Sequence, residues 1–300
     1  MAARIGKTRP AQEAPQKGAA EIEEVFDPEV GQARGMIRRP VPAGKMRHAR
    51  RAPADDLAEW IAHYWMIRWD LRGCEPHLAE SLPHPNVHVI FEPTGAESSG
   101  AVVAGVQTHM FTRLLEGQSQ VFGIKFKPGG FRPFLKSAVS TIADRTVSAE
   151  RILGDVDALA AIVLSSCAEK RKVEAANDFF RARLPEHDPT VSLAGELVKR
   201  ILEDRSIKTV DDLVRIGGMG KRSLQRIFRE YVGASPKWVI RRYRLHELIE
   251  RSNCADGPEW SQLALDLGYF DQAHLINDFR TITGYSPTEY LEVIRRGKSD

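Results

Sequence analysis

Two spacings of apolar residues divide this chain. Between Trp65 and Phe126 hydrophobic and polar positions alternate in short runs, whereas from Val191 onward the apolar positions recur at three and four residues. The first spacing loads one face of a strand and the second one face of a helix. Strands are therefore expected at Trp65 to Leu71, Val87 to Phe91, Ala101 to Val106, Met110 to Leu115 and Ser119 to Phe126, with Glu116-Gly117-Gln118 as the turn of a hairpin. Ahead of them, Asp55-Asp56 is placed to cap a short helix carrying Leu57, Trp60, Ile61 and Tyr64. Lys127-Pro128-Gly129-Gly130 ends the sheet, Phe131 to Val139 is a helical stretch, and Ile152 to Leu184 reads as mainly helical up to Pro185. The remainder predicts helices at Val191 to Glu203, Val210 to Ile216, Arg222 to Val232, Pro236 to Glu250, Pro258 to Leu267, Gln272 to Thr283 and Pro287 to Ile294. Three of these begin with Pro in the first turn, where its missing N–H does no harm.

This pattern implies an α+β, β-rich N-terminal domain followed by an all-α C-terminal domain. The expected boundaries are a disordered tail over 1–52, an α+β sensor domain over 53–150, a helical connector and candidate dimerisation segment over 151–184, a linker over 185–190, and a helical domain over 191–296. The tail is assigned on composition. Ala, Gly, Pro, Lys and Glu dominate it, and such a segment buries too little apolar surface to offset chain entropy.

Composition narrows the function classes. Three hundred residues, 42% hydrophobic and 28% charged, describe a chain long enough for two domains. No run of about 18 apolar residues and no signal-peptide core is found, so a cytoplasmic location off the membrane is expected. Cys74, Cys167 and Cys254 are too widely spaced for a disulfide framework or a zinc cluster. The net charge of +3 is uninformative until it is split by region. Residues 1–50 hold 10 basic against 6 acidic residues, 51–190 hold 15 against 18, and 191–300 hold 18 against 16. Within the last region, Lys221, Arg222, Arg226, Arg229, Lys237, Arg241, Arg242 and Arg244 face the single acid Glu230, a window that suits an anionic partner.

The helical half also contains an internal repeat. L-V-R-I-G-G-M-G-K-R-S-L-Q-R-I-F-R-E-Y-V-G-A-S-P, from Leu213 to Pro236, aligns with L-A-L-D-L-G-Y-F-D-Q-A-H-L-I-N-D-F-R-T-I-T-G-Y-S-P, from Leu263 to Pro287. Leu213 and Gly218 match Leu263 and Gly268, and Leu224, Phe228, Arg229, Gly233 and Ser235-Pro236 match Leu275, Phe279, Arg280, Gly284 and Ser286-Pro287. Each copy reads as a short helix, a glycine turn and a longer helix, which is a helix-turn-helix, with one long helix between the copies. Two similar hairpins that merely pack together would have no reason to duplicate both the turn glycines and the G-x-S-P ends.

With its paired G-x-S-P ends and the G-Y-x-D-Q-x-H-L sequence before the second long helix, this region resembles the DNA-binding domain of the AraC/XylS family of bacterial transcription regulators. The resemblance implies two recognition helices in successive major grooves, roughly 34 Å apart. Carried over by position, the base-reading candidates are Arg222, Gln225 and Arg226 in the first unit and Gln272, Ala273 and Asn277 in the second. Lys221, Arg229, Arg280 and Arg241 are the phosphate candidates. Several positions depart from the family pattern. Val214 replaces a small residue, Gly220 and Phe270 stand where a serine often caps the recognition helix, and Asp271 and Asp278 put negative charge on the second helix. The first unit is therefore expected to dominate affinity and specificity.

The N-terminal half resembles, more loosely, sensor domains found ahead of such readers, through Y-W-x-x-R-W-D-L at Tyr64 to Leu71, L-P-H-P-N-V-H at Leu82 to His88 and F-G-I-K-F-K-P-G-G-F-R-P-F at Phe122 to Phe134. The analogy implies a barrel-like effector pocket, for which Tyr64, Trp65, Trp69, Arg68, His84 and His88 are the candidates. A metal-site reading of Glu80, His84 and His88 is disfavoured, because His84 and His88 would lie about 13 Å apart along a strand. With no G-x-S-x-G, phosphate loop or H-E-x-x-H, the chain is not read as an enzyme and no cofactor is expected. The partners expected are double-stranded DNA, a small-molecule effector, RNA polymerase and a second copy of the chain. The alternative is a metal-binding or catalytic β-domain tethered to DNA by the helical half.

Overall fold

The computed structural model describes residues 22–31, 36–37, 41–94, 98–252 and 259–299. Strands come first: β1 (Glu23–Phe26), β2 (Met36–Ile37), β3 (Met46–Arg51), β4 (Ile61–Asp70), β5 (His77–Ser81), β6 (His88–Thr94), β7 (Ser98–Ala104), β8 (Phe111–Leu115) and β9 (Gln118–Phe126). After α1 (Arg132–Leu135) and β10 (Thr146–Ser148) the chain is helical: α2 (Glu150–Leu153), α3 (Asp157–Val163), α4 (Glu169–Arg181), α5 (Pro189–Glu203), α6 (Val210–Gly217), α7 (Lys221–Ile227), α8 (Pro236–Ser252), α9 (Trp260–Asp266), α10 (Gln272–Thr283) and α11 (Pro287–Ser299).

The main sheet has the order β1-β3-β4-β9-β6-β7-β10, and a smaller one the order β2-β5-β8. The main sheet is not closed, which corrects the barrel expectation. Its ladder ends in two short edge strands, β1 and β10, which pair with β3 and β7 rather than with each other. Alternation along its central strands separates two faces. Tyr64 lies opposite Ile124, and Ile124 opposite Val89; this face joins Phe134, Phe180 and the helical layer in one core. Trp65 lies opposite Gly123, and Gly123 opposite Ile90; this other face carries Trp69 and Val121 and packs with Leu115 of β8.

Three further expectations change. Residues 46–51 are a strand of the main sheet and 23–26 pair beside it, so order begins well before residue 53. Composition misled because Arg47, Arg50 and Arg51 are held by specific partners: Arg47 and Arg51 pair with Glu169 of α4 and Arg50 donates to His63. The rest of the tail expectation, residues 1–21, 32–35 and 38–40, lies outside the described residues. The helix expected from Asp55 is only a single 3-10 turn, Asp55–Leu57, because Ile61 onward pairs with β9 and Tyr64 onward also with β3. Finally, 185–190 is a tied connection. Asp188 caps α5 by accepting from Thr190 N–H at 2.8 Å and also accepts from Tyr231 O–H at 2.6 Å.

The two halves share their core. Val106, Val139 and Ile142 from the β-rich half sit in the same buried cluster as Leu224, Phe228, Val232 and Ile240. A second cluster joins Leu82 and Met110 to α8, α9, α10 and α11. Among the described residues no helix is long and apolar enough to cross a membrane.

Candidate DNA interface

Each repeat folds as the duplicated pattern requires. Gly218 and Gly268 end the first helix of their units at φ +63° and +83°, and Gly233 and Gly284 end the second helices at +88° and +78°. All four lie in the left-handed region, where a Cβ is costly, so the paired glycines mark paired helix ends. The Ser-Pro pairs start the helices that follow. Ser235 Oγ accepts from Trp238 N–H at 3.1 Å, and Ser286 Oγ accepts from Glu289 N–H at 3.3 Å, each with Pro in the first turn.

In the first unit α6 is secured by a capping box between Thr209 and Asp212. The candidate recognition helix α7 starts at Gly220 without a side-chain cap and continues through a π-helical turn, Phe228–Val232. Leu224, Ile227 and Phe228 are buried, which turns Lys221, Arg222, Gln225, Arg226 and Arg229 to solvent. Their existing ties are weak. Lys221 meets Asp211 at 3.0 Å, while Arg226 and Arg229 share Glu230 at 3.8 and 3.5 Å. Exposed pairs of this kind contribute at most about 1 kcal/mol, so all three cations can be transferred to DNA.

In the second unit Asp271, not Phe270, caps α10, accepting from His274 N–H at 2.7 Å. The missing serine therefore leaves this helix well started. Ala273, Asn277 and Arg280 are exposed; Gln272 is partly buried and accepts from Ser261 Oγ at 3.3 Å. Arg280 lies 4.0 Å from Glu289. Phe270, which sequence reasoning passed over as a substituted cap, is 85% exposed beside the start of α10. An unburied aromatic in the turn before a recognition helix is the signal that could have flagged it.

The basic window is smaller than the sequence implies. Arg244 is buried, donating to Glu247 at 2.7 Å and to the carbonyl of Ile207 at 2.7 Å. Arg241 pairs with Asp278 at 3.0 Å in a cleft shared with Thr108 and Trp238, which removes it from the outward face with the other phosphate candidates. Arg242 is 2% exposed and turns toward the N-terminal half. Helical spacing alone could not separate these residues from Lys237, which is exposed on the same helix.

The effector candidates do not gather in one place. Tyr64 is fully buried on the helix-facing side of the sheet, donating to Asn177, and burial pushes its phenol pKa up. Arg68 is exposed. Trp69 is buried on the opposite face and donates to Glu116 O at 3.0 Å. Trp65 and His88 do meet, the indole N–H donating to His88 Nδ1 at 3.2 Å. His84 meets Arg242 at 3.2 Å, and Glu80 accepts from Tyr285 O–H at 2.8 Å, so the residues of the disfavoured metal reading have other partners.

The β-rich half also holds the tandem helix-turn-helix through backbone groups. Trp238 of α8 donates to Thr108 O at 3.2 Å, Arg242 of α8 to Pro83 O, and Met110 N–H to Ile282 O of α10 at 2.8 Å.

Residues 213–292 match the family described as a helix-turn-helix domain, and residues 49–148 match a domain of unknown function, DUF6597. No curated protein matches the chain. Among solved structures, two crystal structures of ToxT from Vibrio cholerae are similar to it. One has 12% identity over 73% of this chain and 98% of that one with a TM-score of 0.34, the other 12% over 83% and 97% with a TM-score of 0.36.

Proposed function

We propose that this chain, whose residues 213–292 form a helix-turn-helix domain of the AraC type, is a sequence-specific DNA-binding transcription regulator. The observation that carries this reading is the duplicated helix-turn-helix with both recognition helices turned outward. The core takes Leu224 and Phe228 from one and Leu275 and Phe279 from the other, leaving the intervening polar side chains accessible. Arg222 and Arg226 suit guanine edges, and Gln225 suits adenine or serves alongside them. Lys221, Arg229 and Arg280 suit phosphates. In the second unit Gln272, Ala273 and Asn277 offer fewer hydrogen-bonding groups, while Phe270 offers an apolar contact to a thymine methyl. The first unit therefore supplies most of the specificity. The connecting helix α8 spans about 25 Å at 1.5 Å per residue and sets the separation of the two units. Because the β-rich half grips α8 and α10 directly, a small effector or a second copy of the chain acting on that half can alter the spacing.

Binding to the DNA upstream of the chain's own gene, measured across a salt series, tests the proposal. Affinity should fall steeply with salt, and Lys221→Gln should lower the log-log slope by about 0.9. The Arg222→Ala/Arg226→Ala variant should lose at least about tenfold on the specific site and much less on random DNA. Equal binding of the specific site by wild type and this double variant would overturn the base-reading assignment.

A further inference from the structure

The two units of the repeat match residue by residue along their second helices, and one core-facing position breaks the match. Leu224 and Phe228 of α7 correspond to Leu275 and Phe279 of α10, and all four are buried. At the same offset Ile227, 6% exposed, corresponds to Asp278. The inner side of α10 therefore carries an acid where that of α7 carries an aliphatic chain. Asp278 is not turned out to water: its side chain is 13% exposed, in a cleft between α8 and α10 that Trp238, Thr281 and Ile282 also line. Arg241 of α8 meets it there, with Nε 3.0 Å from Oδ2.

Enclosure makes this pair a constraint. Asp278 Oδ2 is buried and accepts no aligned hydrogen bond among the described residues, so the charge of Arg241 is what compensates it. Moving the two apart would leave a carboxylate enclosed without compensation. The apolar side chains of the two helices, Leu245, Leu248 and Ile249 of α8 with Leu275, Phe279 and Ile282 of α10, share one buried cluster. Apolar burial has no preferred direction and resists a small roll of α10 only weakly. The charge pair supplies the direction, and a buried ion pair that selects one register among several close packings is the best-attested use of such a contact. Asn277, the neighbour of Asp278, and Ala273 one turn earlier are exposed, so any roll of α10 moves both.

We propose that Asp278 is a positioning residue: paired with Arg241, it fixes the roll of α10 against α8 and thereby the half-site separation at which Ala273 and Asn277 meet DNA. The separation rests on the function proposed above; the brace between the helices does not. This role reverses the one expected from the sequence, where Asp278 opposes phosphates and Arg241 binds them. A carboxylate that only repels DNA weakens binding to every spacing alike, whereas one that positions α10 sets a penalty for the wrong spacing.

Two measurements on the full chain test it. Without DNA, amide hydrogen exchange in α10 should quicken at least about threefold in Arg241→Gln and in Asp278→Asn, and no further in the variant carrying both. Unchanged exchange, or effects that add, overturn the brace whatever the chain does with DNA. With DNA, duplexes selected by wild type from a random pool should keep one separation between two half-sites, and one inserted base pair should weaken binding at least about tenfold. Asp278→Ile, which copies the first unit and should fold, should accept the insertion with less than about a threefold loss. Arg241→Asp/Asp278→Arg should restore the penalty. Equal penalties in wild type and Asp278→Ile overturn the positioning role, with or without a general gain in affinity. So does an unrestored penalty in the exchanged pair when its α10 exchanges as slowly as in wild type. If wild type selects no sequence, the proposed function fails and the spacing role with it, while hydrogen exchange still decides the brace.

Discussion

Lys125 and Arg226 are both basic residues of a chain with 43 Lys and Arg against 40 Asp and Glu, and their surroundings set them apart. Arg226 is exposed and shares Glu230 with Arg229, so its charge is available. At the proposed interface Glu230 competes with DNA for both arginines, and Glu230→Gln should tighten DNA binding a few-fold while changing stability by no more than about 0.5 kcal/mol. Filter binding beside a denaturant melt checks both numbers. Lys125 is enclosed on β9, and burial holds its ammonium down to about 7 in the folded protein, against 10.5 when unfolded. Between those values the unfolded chain holds more protons, so the Lys125 contribution makes stability rise with pH, at up to about 1.4 kcal/mol per unit. Below about 7 the cost is fully present, and it is gone above 10.5. Subtracting the Lys125→Met profile from wild type between pH 7 and 10 should return that slope; parallel profiles would show that the side chain is not enclosed. The distinction between the two cations was invisible in the sequence, because each alternates with apolar neighbours, Lys125 in a strand and Arg226 in a helix, and only packing decides which one faces water.

At the level of elements, the helices of the reader were legible because each carries its own boundary chemistry. The expected range Gln272 to Thr283 is the observed α10, bounded by the Asp271 cap and by Gly284 at φ +78°. The strands were less legible, since β5 and the edge strands β1 and β2 have their partners far away in sequence and no local mark. The stretch from Leu57 to Tyr64 fits helical spacing, yet from Ile61 it pairs as strand because β9 and, from Tyr64, β3 are there to receive it. Two equivalent glycines show how context modifies a shared motif. Gly284→Ala meets open space, so its cost is confined to backbone strain, about 1 kcal/mol. At Gly233 the added methyl also comes within 2.7 Å of the Val139 side chain. Gly233→Ala should therefore destabilise clearly more than Gly284→Ala, and Val139→Ala should recover part of the difference in a double-mutant cycle. Equal costs at the two sites would mean that the first unit does not press against Val139.

For the whole molecule, the decisive feature is that the core does not stop at the expected linker. The sequence marks 185–190 as a break because prolines and polar residues gather there, yet Val191, Ala194, Phe228 and Val232 are buried in the same cluster as Phe126, Phe131 and Val139. Two domains joined by a loose tether would unfold separately, whereas halves that share buried apolar surface unfold together. Calorimetry should therefore show one dominant transition. The second helix-turn-helix is the part able to open first, because it joins the β-rich half through the smaller cluster of Leu82 and Met110 and the polar contacts of Glu80 and Ile282. Tyr285→Phe removes the phenol that donates to Glu80, leaving a buried carboxylate short of a donor, at a cost of about 1 to 3 kcal/mol. Hydrogen exchange should then quicken in α10 and α11 while β4 and β9 stay protected. If α6, α7 and the central strands quickened by the same factor, the second unit would be an integral part of one rigid body. Signals from the β-rich half would then have to act through α8, rather than by releasing one recognition helix from the other.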